Sequence, residues 1–265
     1  MDHRHVADVA GRFSQDAPLY ERFWAASLAR LGTKLLAGLP LQDASTVVDI
    51  GAGVGALLPA IRQAAPQAYV AGVDASEGML RRASPDFGRA LMDAGHLALR
   101  DESVDAATMP FVLFFLPDPQ RGLAEVHRVL KPGGGLGVAT WEADSNDFPA
   151  DEVWFGLLEE HGVPQETSPA SHELMNTPEK LAALLRDAGF EGVHTEVAGE
   201  PVPMTMEEFL EVRTGIGRSR ARFETMAPET RTRMLADART RLVKLRPEDF
   251  TDPQVAVLAW GSTPA

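Results

Sequence analysis

The sequence predicts an α/β fold: a doubly wound, mostly parallel seven-stranded sheet, preceded by N-terminal helices and carrying a helical cap inserted before its last strand. Three observations predict it. Short apolar runs alternate with amphipathic helical stretches between residues 45 and 141, the pattern of strands joined by right-handed helical crossovers. The first run, "STVVDI", passes directly into the glycine loop "GAGVG". A long helical stretch, 205–245, separates the last two strand-like runs.

In chain order, residues 1–40 read as helix, with Leu28, Leu31, Leu35 and Leu39 on one face and Pro40 ending the pattern. "STVVDI" (45–50) is a buried strand and "GALLPAIRQAA" (55–65) a helix. "AYVAGVD" (68–74) is a strand, after which Ser76 caps a helix through Met79, Leu80 and Ala83. "RALMD" (89–93) and "SVDAATM" (103–109) are strands. "PQRGLAEVHRVLK" (119–131) is a helix with Leu123, Val126 and Leu130 inward; "PGGG" breaks it before the strand "LGVATW" (136–141). "DEVWFGLLEEH" (151–161) is an amphipathic helix, and 163–176 reads as loop. Thr177 and Pro178 form a cap and first-turn pair for "EKLAALLRDA", which Gly189 closes. Strands at 191–199 and 253–261 complete the sheet. The chain divides accordingly into an N-terminal helical segment (1–40), a core (41–200 with 247–265) and a cap (201–246).

Composition bounds the function. With 265 residues, 45% of them hydrophobic, the chain suits one large domain or a domain with a cap. A net charge of −13 fits neither nucleic acid nor anionic membrane surfaces. The absence of cysteine excludes disulfides, thiolate zinc sites, iron–sulfur clusters and cysteine nucleophiles. No apolar run is long enough to span a bilayer, and "MDHRHVADVAGRFSQDAPLY" lacks the apolar core of a signal peptide, so a soluble cytoplasmic protein is expected. Basic residues are almost all arginine, which with the many alanines suggests a GC-rich bacterial genome.

The glycine loop admits two ligands. Gly51, Gly53 and Ala56 satisfy a dinucleotide-binding spacing, and Asp74 ends the next strand as the acid that holds a ribose. Asp49, two residues before the first glycine, separates the readings. A carboxylate there repels a pyrophosphate by several kcal/mol at low dielectric. It suits a nucleoside bearing positive charge, and S-adenosylmethionine carries a sulfonium and an ammonium and no phosphate.

The stretches "VVDIGAGVG", "VAGVDASEGMLRRA", "MDAGHLALRDESVDAATM" and "FVLFFLPDPQRGLAEVHRVLKPGGGLGVATW" follow one another in the order and spacing of class I S-adenosylmethionine-dependent methyltransferases. The chain resembles most the small-molecule branch that includes the ubiquinone/menaquinone-biosynthesis type. The likeness covers residues 45–141, with "TPEKLAALLRDAGFEGV" (177–193) also similar. It implies a Rossmann-like methyltransferase fold and S-adenosylmethionine as cofactor, released as S-adenosylhomocysteine. It further implies that Asp49, Gly51, Ala52 and Gly53 line the methionine arm. Asp74 would hold the ribose, and Ala75 and Met79 would lie against the adenine. Asp93 would accept from the adenine amino group, Ala94 would donate its N–H to the ring, and Met109 and Pro110 would touch the sulfur side. In such relatives the N-terminal helical segment folds over the cofactor. Tyr20 would then reach the cofactor carboxylate, and Phe23 and Trp24, with Phe111 and Trp141, would wall the acceptor.

Methyl transfer is an in-line displacement in which the cofactor carries the reactive group, and it proceeds without a fixed catalytic residue when geometry is held. Many relatives carry histidine where this chain has Phe114 and Phe115, so no general base is legible; His161 and His172 are the remaining candidates. Glu142, Asp144 and Asp147 raise a magnesium site, but "TMPF" supplies no acid after the fourth strand and no metal is expected. "TMPF" also lacks the Asn/Asp-Pro-Pro-aromatic pattern of nucleic-acid base methylation. The expected activity is methylation of O, N or C of a small organic molecule, with no nucleic-acid or membrane partner. A nicotinamide-dependent oxidoreductase and a non-catalytic cofactor-binding relative are the alternatives.

Overall fold

The computed structural model describes residues 3–143, 145–164 and 170–265. These residues fall into two compact units: Met1–Ala143, Pro169–Ala198 and Ala256–Ala265 form the first, and Asp144–Ser168 with Gly199–Val255 the second.

The first unit opens with α1 (His3–Phe23) and α2 (Ala25–Leu35), which break apart at Trp24. It continues through β1 (Thr46–Ile50), α3 (Leu58–Ala64), β2 (Tyr69–Asp74), α4 (Glu77–Leu80), β3 (Gly88–Leu91) and β4 (Val104–Pro110). Next come α5 (Pro119–Val129) and β5 (Leu130–Trp141), and beyond an excursion into the second unit α7 (Ala170–Glu173), α8 (Pro178–Asp187) and β6 (Glu191–Gly199). The second unit comprises α6 (Pro149–Glu160), β7 (Val202–Pro203), α9 (Met206–Gly215), α10 (Gly217–Glu224), α11 (Pro228–Leu242) and β8 (Thr251–Asp252). The chain then returns to the first unit along β9 (Val255–Ser262).

The sheet has seven strands in the order β3-β2-β1-β4-β5-β9-β6. Ladders β3–β2, β2–β1, β1–β4 and β4–β5 are parallel, and β5–β9 is antiparallel. Central parallel strands are covered on both faces and therefore need apolar residues at nearly every position; Val47, Val48, Ile50, Val70, Ala106 and Ala107 are all buried. The strand order reverses between β1 and β4, so the crevice outside their carboxyl ends is where a doubly wound sheet binds its ligand.

Local chemistry sets the helix starts. Ser76 Oγ accepts the Met79 N–H at 3.3 Å to cap α4, and Asp118 Oδ1 accepts the Arg121 N–H at 3.1 Å to cap α5. Thr177 caps α8 with Pro178 in its first turn, as the sequence indicates. Two expectations change. "PGGG" does not separate α5 from the strand: β5 begins at Leu130, and the stretch is a bulge over which the partners of Val104 and Ala106 jump from Leu130 to Gly135. Residue 163 does begin a loop, but 170–173 is the short helix α7, while 165–169 lie outside the described residues.

The division into units also differs from the expected one. Residues 144–168 and 247–255 belong with the second unit rather than with the sheet. The apolar face of α6, with Trp154, Leu157 and Leu158, packs with Phe209, Phe223, Met234 and Leu242 into a separate core. The stretch 205–245 is three helices, broken at Gly217 and before Pro228. Within this unit the Trp154 indole donates to Ser219 Oγ at 2.9 Å, and Arg213 pairs with Asp151 while stacking on Phe148 and Phe209. Burial pushes the Asp151 and Asp252 carboxyls up, against the pull of Arg213.

Candidate active site

A cavity of about 150 Å³ lies outside the carboxyl ends of β1, β2 and β4. Its floor is the turn after β1. The N–H groups of Gly51 and Ala52 both donate to Val73 O, at 2.7 and 3.0 Å, folding the loop against β2. Gly51 sits at φ +72°, and a Cβ there would lie 2.1 Å from Val112 Cγ2. Backbone conformation and close approach together require glycine.

Asp74 closes the turn. Its Oδ2 accepts the Gly53 N–H at 2.8 Å and its Oδ1 the Ser76 N–H at 2.7 Å. Burial raises its carboxyl, and the amides of Ser76, Gly53 and Ala75 oppose that shift. Asp49 lies one layer deeper, 1% exposed, and accepts a 2.7 Å hydrogen bond from Thr108 Oγ1. Burial pushes its carboxyl up to about 7; the Thr108 hydroxyl opposes the shift and Asp74 adds to it. Tyr20, from α1, reaches the same region: burial first, then Asp74 and Asp49, hold its phenol well above the usual range. Three acidic groups thus converge where the described lining residues include no lysine or arginine.

The remaining walls come from three places. Asp93 follows β3 and turns its Oδ1 onto the Gly95 N–H at 2.8 Å, with Ala94 beside it in the lining. α1 covers the opening through Val6, Val9, Ala10 and Phe13. The helix is fastened to α4: Ser14 Oγ meets Ser76 Oγ at 2.8 Å and accepts the Gly78 N–H at 3.2 Å, and Arg82 Nε donates to Glu21 at 2.6 Å. The third wall is aromatic. Phe111 lies 4.4 Å from Trp141 between centroids, Phe114 4.5 Å from Phe115, and Phe13 5.2 Å from Phe115.

The expected residues sort as follows. Tyr20, Gly51, Gly53, Asp74, Ala75, Met79, Asp93, Ala94 and Pro110 line the cavity, as do Trp24, Phe111 and Trp141. Asp49 stands behind the lining. Ala52 packs its methyl over Gly72 instead. Met109 does not reach the cavity: strand alternation turns it into the core, fully buried, while its neighbour Pro110 lines the site. Phe23 is also outside the lining and carries Arg22 over its ring. His161 is in the second unit, paired with Asp237 at 3.0 Å, and His172 packs edge-on against Phe114. Asp144 of the acidic trio is outside the described residues, and among the described residues no cluster of three His, Asp or Glu is arranged for a metal. The sequence reading missed Val6, Val9, Ala10 and Phe13. Their i, i+3, i+4, i+7 spacing was a visible signal, but a stripe facing a cavity looks like one facing a core.

The chemistry of this donor set fits S-adenosylmethionine. Asp49 and the Tyr20 phenol near the glycine turn suit a sulfonium and an ammonium, and two further acceptors, Asp74 and Asp93, suit ribose hydroxyls and an amino group. The comparisons with known proteins agree. A family model described as a methyltransferase domain matches residues 48–138. The chain is 30% identical over 201 residues to malonyl-[acyl-carrier protein] O-methyltransferase of Geobacter sulfurreducens, covering 73% of this chain and 72% of the relative. It is 29% identical over 228 residues to demethylmenaquinone methyltransferase of Lactiplantibacillus plantarum, covering 73% and 92%. Among solved structures, a protein assigned as a methyltransferase of an antibiotic biosynthesis pathway in Anabaena variabilis superposes with a TM-score of 0.62 at 18% identity, covering 88% of this chain and 96% of that one.

Proposed function

We propose, for a chain that belongs to the class I S-adenosylmethionine-dependent methyltransferases, that the methyl acceptor is a small, flat, apolar molecule whose reacting oxygen or carbon ionises unaided, an enol or a phenol. One observation carries this reading. The acceptor side of the cavity is walled by Trp24, Phe111, Phe114, Phe115 and Trp141, and no histidine, lysine or arginine is among the described lining residues.

S-adenosylmethionine, when bound, supplies the methyl group as a sulfonium. We assign its amino-acid arm to the Gly51–Gly53 turn, with Asp49 behind it and Tyr20 reaching in from α1. We assign the ribose to Asp74, whose Oδ2 holds the Gly53 N–H and Oδ1 the Ser76 N–H, and whose remaining lone pairs suit hydroxyls. Ala75, Met79, Asp93 and Ala94 take the adenine, and Pro110 faces the sulfur side.

The aromatic walls then do the work of the acceptor side. They exclude water and hold a planar acceptor in line with the methyl group, a contribution worth roughly 7–11 kcal/mol when alignment is good. With Phe114 and Phe115 in the place of an imidazole pair, no histidine or lysine among the described lining residues takes the acceptor's proton, so the acceptor ionises to solvent before it enters the cavity. The reduced, quinol form of a demethylated quinone, the compound in the name of the Lactiplantibacillus relative, has this character. A malonyl carboxylate, named in the Geobacter relative, would meet no cation in these walls.

The test is a panel of phenols, enols, aliphatic alcohols and amines assayed for S-adenosylhomocysteine release. Turnover is expected with phenols and enols, rising as their pKa approaches neutrality. A preference for aliphatic alcohols or amines would sink the reading.

A further inference from the structure

The loop between β3 and β4 carries Asp93 and Ala94, yet little of the sheet reaches it. Met92 N–H donates to Asp74 O at 3.0 Å, and the turn then closes on Asp93, which accepts the Gly95 N–H at 2.8 Å and the His96 N–H at 2.9 Å; what ties this turn and the chain after it to the body of the fold is the side chains of α5. Arg121, Glu125 and Arg128 stand on one face of that helix at i, i+4 and i+7. Arg121 Nε donates to Gly95 O at 2.9 Å. Glu125 Oε2 accepts the Leu97 N–H at 2.8 Å, and Arg128 Nη2 donates to Leu97 O at 2.9 Å. Arg128 Nη1 donates to Leu99 O at 3.0 Å. The same two side chains are locked to each other as a fork, Nε to Oε1 at 2.9 Å and Nη2 to Oε2 at 2.8 Å.

Leu97 thus has both its backbone groups gripped by one ion pair, three residues after Ala94. Hydrogen bonds with an ionised partner are shorter and stronger than neutral ones, and a bidentate pair fixes orientation as well as distance. The pair is largely shielded, with Glu125 22% and Arg128 32% exposed.

We propose that the Glu125–Arg128 pair of α5 is a positioning device for adenine recognition: it sets the 93–97 loop, and through it the register of Asp93 and Ala94 against the purine. The proposal rests on the assignment of those two residues to the adenine end. Glu125 and Arg128 touch no ligand themselves.

The experiment measures Kd for S-adenosylhomocysteine and for S-inosylhomocysteine, in which a carbonyl replaces the amino group that Asp93 would accept from. Full-length wild type, Glu125→Gln, Arg128→Lys, Arg128→Met and, as a control, Lys131→Met are compared. Lys131 holds Asp105 at 2.7 Å and Ser45 Oγ at 3.2 Å, away from the loop. Wild type is expected to prefer the adenosyl ligand roughly tenfold or more, as loss of a hydrogen bond to a charged group implies. Glu125→Gln and Arg128→Met bring that ratio toward one, and Arg128→Lys, which keeps the charge and loses the fork, falls between. Lys131→Met lowers the Tm and leaves the ratio at its wild-type value. If Arg128→Met does not fold, Glu125→Gln and Arg128→Lys decide. Folded pair variants that discriminate like wild type overturn the proposal. A wild type that does not discriminate overturns the assignment of Asp93 instead, and the proposal with it.

Discussion

Thr108 Oγ1 donates a 2.7 Å hydrogen bond to Asp49 Oδ1 across the β1–β4 ladder, where the two residues are direct register partners. Both are within 1% of full burial, so the carboxyl has this hydroxyl in place of water. Burial moves it from an ordinary 3.8 to about 7. In the ligand-free protein at neutral pH, Asp49 is therefore partly protonated, and a bound cation favours its ionised form.

The first prediction follows from that proton. Binding of S-adenosylmethionine near pH 7 is expected to release up to one proton, and affinity is expected to fall as pH drops below about 7. Calorimetry in buffers of different ionisation enthalpy measures it; binding without proton release would contradict the placement of Asp49. Thr108→Val removes the group that opposes the upward shift, so the release is expected to move to higher pH.

The same carboxyl makes a stability prediction of definite sign. Its folded pKa lies above its unfolded one, so the folded chain holds a proton that the unfolded chain has lost between about pH 4 and 7. The contribution of Asp49 to the free protein's stability falls as pH rises through that window. Asp49→Asn is expected to raise the Tm of the free protein at pH 8 and to weaken S-adenosylmethionine by about 1.5–3 kcal/mol, the size of a charge-assisted hydrogen bond. A variant that loses both stability and affinity would show Asp49 to be a structural acid.

Asp74 behaves differently because it holds the turn as well as the ribose assigned to it above. Asp74→Ala strands the Gly53 and Ser76 amides, each worth about 1–3 kcal/mol if left unpaired, so a fall in Tm accompanies the loss of cofactor. Asp74→Asn retains one acceptor oxygen. It is expected to lose affinity by roughly tenfold or more with a smaller change in Tm. Thermal melts with and without S-adenosylhomocysteine separate the two effects.

How much of this was legible in the sequence varies with the physics of each residue. Gly51, Gly53, Asp49 and Asp74 were readable because a strand-turn-helix fixes their spacing and their residue types answer to one ligand chemistry. Met109 was not, because two neighbouring strand residues point to opposite faces, and its motif position does not say which one the cavity takes. The face of α6 was visible as apolar, but Trp154 and Leu157 could not declare whether the sheet or a second core would cover them. "KPGGG" carries helix- and strand-breaking residues alike, and a bulge inside a paired strand satisfies both signals. The α5 grip on Leu97 is invisible in a pattern, since the i, i+3 spacing of Glu125 and Arg128 carries no sign of the loop they hold.

The last prediction concerns Phe111, which stands at φ +59° immediately after β4, its N–H donating to Ala139 O at 2.8 Å. A left-handed backbone costs a non-glycine residue about 1–3 kcal/mol, and such strain persists where the surroundings impose it. Here it turns the ring against Trp141 at an interplanar angle of 36°, forming one wall of the cavity, on the side assigned above to the acceptor. Phe111→Gly relieves the backbone but removes a ring that is buried in the main core, and the loss of its burial, about 3–5 kcal/mol, outweighs the strain: Tm is expected to fall, cofactor Kd to stay unchanged, and the acceptor KM to rise by up to about tenfold, the scale of one lost aromatic contact. Phe111→Leu keeps the strain and loses the flat face, so both Tm and acceptor binding are expected to fall. If Phe111→Gly binds its acceptor normally, the ring serves the core alone and the strained turn has no part in choosing the substrate.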